Sequence, residues 1–99
     1  MGRKRHSSRQ VDAILGSFLD DPPRWRHGYE LTKQLRIGPG TLYPALIRLA
    51  GDGYLEHRWE PATRGNPRHV YRLTPDGLDF ARVRVGRPPL PTLEAEAVA

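Results

Sequence analysis

Cysteine is absent from the 99 residues, which rules out a disulfide framework and any thiolate-held zinc finger and suits a reducing cytoplasm. No apolar run approaches the roughly 20 residues of a membrane span. The start Met1-Gly2-Arg3-Lys4-Arg5 is basic, but no hydrophobic region follows it, so it does not read as a secretory signal. Lysine is scarce: only Lys4 and Lys33 occur, and the other fourteen basic residues are arginine. The arginine side chain is a planar fork that pairs with phosphate and guanine. Acidic residues number 11 against 16 basic ones, and the resulting formal charge of +5 favours an anionic partner. Length is limited too. A chain this short makes one small module, with no room for separate substrate and cofactor domains, and it gains from a partner subunit.

Motifs that carry chemistry are equally missing. Gly38-x-Gly40 is no phosphate loop, because Tyr43 stands where the third glycine is needed and no Gly-Lys-Ser/Thr follows. No nucleophile elbow surrounds Ser7, Ser8 or Ser17. The four histidines lack metal-ligand spacing; His57 and His69 on facing strands would supply two ligands at most, a poor site. Neither an enzyme nor a cofactor or metal is expected.

Ten glycines and ten prolines fall between periodic segments and divide the chain. Residues 1–7 form a basic arm expected to be disordered; its Arg3, Lys4 and Arg5, with Arg9 just beyond, suit either a minor groove or plain solvation. Ser7 and Gln10 make a capping-box pattern ahead of the stripe Val11, Ile14, Leu15, Phe18 and Leu19, predicting a helix over about 8–19. Trp25 follows in a loop, where packing is the simplest role. Gly28 to Leu35 reads as a second helix and Ile37-Gly38 as a tight turn. Pro39 opens a third helix, which ends at Asp52-Gly53. From Tyr54 the period becomes two, giving strands over 54–60 and 68–73 joined by a Gly- and Pro-containing loop, with Tyr54, Trp59 and Tyr71 at core spacing. Thr74-Pro75 starts a fourth helix that Gly86 stops. Residues 86–99 form a proline-rich tail expected to be partly disordered, with 92–99 making a helical turn or two or none.

This order is the layout of a winged helix-turn-helix: α+β but mainly α, with a three-helix core, a two-stranded wing and a short C-terminal helix, all within 8–85. In such a module the third helix enters the DNA major groove and the wing rests on the backbone. On a helical wheel Leu42, Ala45, Leu46 and Leu49 face inward, while Gly40, Pro44, Ile47, Arg48 and Gly51 face outward with Thr41 and Tyr43 on the flanks. Small residues let the backbone approach base edges. Arg48 suits guanine O6 and N7, Ile47 a thymine methyl, and Thr41 a phosphate or base. Tyr43 fits either DNA contact or packing on the second helix. Arg64, Arg68 and Arg72, with Arg58, supply charge around the Gly65-Asn66 wing tip.

The runs His27-Gly28-Tyr29-Glu30-Leu31, Pro39-Gly40-Thr41-Leu42-Tyr43-Pro44-Ala45-Leu46, Asp52-Gly53-Tyr54-Leu55 and Tyr71-Arg72-Leu73-Thr74 resemble the PadR family of bacterial transcriptional regulators over about residues 9–81. The resemblance implies a transcription factor, usually a repressor, that binds a two-fold double-stranded DNA operator as a homodimer and is often released by a small-molecule inducer. Gly38 departs from a common serine of the family. The last helix, which pairs subunits there, stops early at Gly86. Two other readings use the same surfaces: a winged-helix module for protein contact, and a small-molecule receptor, which needs an apolar pocket beside the fourth helix.

Overall fold

The computed structural model describes residues 8–61 and 64–86. The expected arm at 1–7, the Ser7 cap and the tail at 87–99 lie outside the described residues. Helix α1 (Ser8–Leu19) buries Ile14, Leu15 and Phe18 completely, the stripe its spacing requires. Helix α2 (Gly28–Leu35) starts where the Glu30 carboxylate accepts from the His27 backbone N–H at 3.1 Å. Helix α3 (Pro39–Gly51) buries Leu42, Ala45, Leu46 and Leu49 in the common core, the four residues expected to face inward. Helix α4 (Pro75–Val85) packs along α1, with Ala81 fully buried and Arg84 bonded to Asp12 at 2.9 Å.

Strand β2 (Leu55–Glu60) and strand β3 (Arg68–Leu73) form the antiparallel wing, with Leu55 opposite Leu73, His57 opposite Tyr71 and Trp59 opposite His69. The sheet has a third strand that the two-stranded expectation lacked. Strand β1 (Arg26–His27) lies on the other side of β3, pairing Arg26 with Tyr71 and His27 with Val70. Two residues are too few to show alternation, so only the pairing with β3 defines this strand.

Arg26 explains why the chain takes that path. Its side chain is buried, donates to the Ser17 carbonyl at 2.9 Å and to Gln34, and lies 3.5 Å from Glu30. A guanidinium taken out of water is tolerated only with such partners, so this one residue ties α1, α2 and the sheet together. The base of the wing is fixed by Thr74. Its hydroxyl donates to the Gly53 carbonyl at 2.7 Å and accepts from the Gly77 N–H at 2.9 Å, joining the end of α3 to the start of α4.

Trp59 corrects the sequence reading: it shares a face with Leu55, but it is 64% exposed. The face is continuous while the core is not. Leu55 and Leu73 close onto the helices, and the outer half of the hairpin projects past them.

Candidate nucleic-acid interface

Helix α3 is displayed by its surroundings. Its N-cap, Gly38, has extended backbone and no side-chain cap; the Gly38 carbonyl instead accepts from Thr41 and Leu42. Pro39 sits where a missing N–H does no harm. Pro44 lies inside the helix and removes the bond to the Gly40 carbonyl, on the exposed side. Gly40, Pro44, Ile47, Arg48 and Gly51 are all exposed, Ile47 by 65%, and Thr41 is half-buried at the edge.

The glycines on this face differ from Gly28 and Gly77. A Cβ built at Gly28 would stand 2.6 Å from the Tyr43 ring, and one at Gly77 would collide with the Tyr54 carbonyl. Internal packing requires glycine at both. A Cβ at Gly40 or Gly51 meets nothing within 4 Å. Glycine inside a helix costs about 0.5–1 kcal/mol relative to alanine, and at these two positions nothing in the fold repays it.

Two sequence-predicted contacts are engaged by other parts of the fold. Tyr43 lays its ring over Gly28, half-buried in the joint between α2 and α3, so it fixes α3 against α2. Its phenol, together with burial as the larger cause, raises the Tyr71 hydroxyl above the usual tyrosine range. Arg72 bonds Glu56 at 2.8 Å and the Pro23 carbonyl at 3.4 Å, and its guanidinium lies 4.3 Å from the centre of the Trp25 ring. Arg58 approaches the same ring at 4.3 Å. Trp25 thus serves packing, and Arg72 fastens the loop before β1 onto the sheet.

The other predicted residues remain free to meet a partner. Arg64 and Asn66 are exposed at the wing tip, where Gly65 has φ +78°, and Arg68 is exposed at the start of β3. Among the described residues Arg48, Arg64 and Arg68 make no ion pair, whereas Arg24, Arg26, Arg58, Arg72 and Arg84 each do. The i,i+4 pair of Arg48 with Asp52 that helix spacing permits is not formed.

Arg36 was missed from the sequence. It caps α2 in the left-handed region at φ 57°, exposed in the turn that leads into α3. Its signal was available: an arginine where the chain reverses between two helices and glycine or asparagine is the usual choice.

The profile of the transcriptional regulator PadR-like family matches residues 17–82. Over 52 residues the chain is 48% identical to transcriptional regulator Rv3488 of Mycobacterium tuberculosis, a stretch that is 52% of this chain and 42% of that protein. The chain thus spans under half the length of this curated relative. Among solved structures, a transcriptional regulator from Clostridium thermocellum superposes with a TM-score of 0.67 at 26% identity, covering 80% of this chain and 81% of that one. A PadR family transcriptional regulator from Eggerthella lenta gives 0.65 at 28% identity, covering 92% and 75%.

Proposed function

The chain belongs to the PadR-like family of transcriptional regulators, and on that footing we propose that it is a sequence-specific repressor that binds a two-fold DNA operator as a homodimer in the cytoplasm. Helix α3 lies in the major groove, with Thr41, Pro44, Ile47 and Arg48 toward the bases. Arg64, Asn66 and Arg68 hold the backbone from the wing, and Arg36 adds a cation at the turn. The single observation that carries this reading is the bare outward face of α3, where Gly40 and Gly51 leave space that the fold itself does not use.

One helix and one wing make few specific contacts, so useful affinity needs two copies. The exposed sides of α1 and α4 form the seam, and Val83, 84% exposed on α4, is an apolar residue for a second copy to cover. A small-molecule inducer fits the same reading. The cleft of about 280 Å³ between α1, α3 and α4, lined by Val11, Leu49, Tyr54 and Phe80, has Arg48 at its rim, so an occupant there reaches the proposed base reader.

Selection of bound duplexes from a random pool tests the proposal. An inverted repeat supports both sequence reading and the two-fold dimer. Recovery of no preferred sequence, with binding that falls steeply as salt is raised, leaves only non-specific attraction and overturns it. Binding of a protein partner with no affinity for DNA selects the interaction-module reading instead.

A further inference from the structure

The inner face of the wing carries a cluster that the proposed contacts do not use. His57 Nδ1 lies 2.8 Å from His69 Nε2, and His69 Nδ1 lies 3.3 Å from the Tyr71 hydroxyl. Trp59 stacks on the His69 ring at 4.5 Å between centres, 14° from parallel. His57 and Trp59 are exposed, and the cluster stands next to Arg68 and the Arg64 tip, both without ion pairs among the described residues. Among the described residues the titratable or charged groups around it are few. They are Tyr71 on the same strand, Tyr43 from α3, which influences Tyr71, and Arg26 from β1, which is opposite Tyr71 but turned to Glu30, Ser17 and Gln34. Glu60 and Glu56 are held by Arg58 and Arg72.

We propose that this pair is a proton-linked phosphate contact: when the wing docks on DNA, His57 and His69 together take up one proton from solvent and the exposed imidazolium donates to a backbone phosphate. The inference rests on the DNA-binding reading above and adds a control to that same interface.

The cluster admits one proton when both of its hydrogen bonds reverse direction, at the cost of the bond that Tyr71 donates. In the neutral cluster Tyr71 donates to His69 Nδ1, His69 Nε2–H donates to His57 Nδ1, and His57 Nε2–H points outward. After uptake, His57 Nδ1–H donates to His69 Nε2, His69 carries its proton on Nδ1 and donates to the Tyr71 oxygen, and the tyrosine hydrogen turns elsewhere. His57 then bears the charge with its Nε2–H still directed outward. A second proton is opposed, because burial first, and the neighbouring His57 second, hold His69 below the usual histidine range. A phosphate beside the outward Nε2–H favours the singly charged state. The indole of Trp59 holds the His69 ring in place and offers its outer face to the sugar.

Linkage sets the sign. A group whose affinity for protons rises on binding strengthens the complex below the titration range of the free protein, and that gain is lost as pH rises through the range of the complex. The test measures affinity of the full chain for a mixed-sequence duplex of about three helical turns, from roughly pH 8 to pH 6 at constant ionic strength. Affinity should rise several-fold as pH falls, with a limiting slope of about tenfold per pH unit for one proton. His57→Gln should abolish most of that slope. Arg64→Ala should weaken binding and keep the slope. Proton uptake measured by calorimetry in two buffers of different ionisation enthalpy should fall toward zero in both His57→Gln and His69→Gln, so a folding defect in one variant does not decide the matter. Binding independent of pH, or a slope that survives in His57→Gln, overturns this inference alone. Absence of DNA binding at every pH overturns the DNA-binding reading and this inference with it.

Discussion

Replacing Gly40 and Gly51 by alanine should make the protein more stable and a worse DNA binder. Each glycine lies in α3 with φ outside the left-handed region, and a Cβ at either meets nothing within 4 Å. The free protein therefore gains the helix-forming advantage of alanine, about 0.5–1 kcal/mol at most per site and less near the helix ends. At roughly 4–8 °C per kcal/mol for a domain of this size, the double variant should melt a few degrees higher. On DNA the added methyl groups stand between the helix backbone and the groove. Overpacking of a close-fitting contact costs about 1–3 kcal/mol, or roughly 5- to 150-fold in Kd. Calorimetric melting and fluorescence anisotropy on one preparation measure both effects. A lower Tm would refute the claim of free space. Unchanged affinity in the double variant would refute the claim that the bare face exists for close approach.

Further substitutions separate the roles of the other residues. Arg48→Ala should cost about 1–3 kcal/mol on a selected sequence and narrow its advantage over random DNA, whereas Arg64→Ala and Arg68→Ala should weaken both alike and each reduce the salt slope by about one, as titrations across salt concentrations would register. Arg36→Gly should relieve a left-handed arginine worth about 1 kcal/mol and raise the urea midpoint, yet lower DNA affinity through loss of a cation; a lower midpoint would mean the side chain supports the fold. Gly77→Ala should destabilise by about 1–3 kcal/mol or more, because its Cβ and the Tyr54 carbonyl occupy one place. Wild-type unfolding curves for that variant would show that α4 yields easily.

The parts of this molecule legible in its sequence are those that local rules determine. The α1 stripe from Val11 to Leu19, the inward face of α3 and the Thr74-Pro75 start of α4 follow from periodicity and capping within a few residues, and the elements form where those signals put them. What was not legible depends on partners far along the chain. Arg26 and His27 become a strand only because β3 lies beside them. Arg72 reads as a wing cation until Glu56 and Pro23, 16 and 49 residues away, take its guanidinium. Trp59 obeys the alternation of β2 but lies beyond the end of the core, a boundary set by how far the helices reach and invisible to a period of two. His57 and His69 were legible as neighbours on facing strands, but only the register shows that they are diagonal and not opposite.

The central claim is that the outward side chains of α3 read base sequence. It is tested most directly by the ratio of affinities for a selected duplex and a random one, measured at one salt concentration for the wild type and for a variant combining Thr41→Ala, Ile47→Ala and Arg48→Ala. This ratio should collapse toward unity while the variant keeps its helical circular dichroism and most of its affinity for random DNA. A ratio preserved in the triple variant would mean that α3 is not in the groove, and the claim would fail.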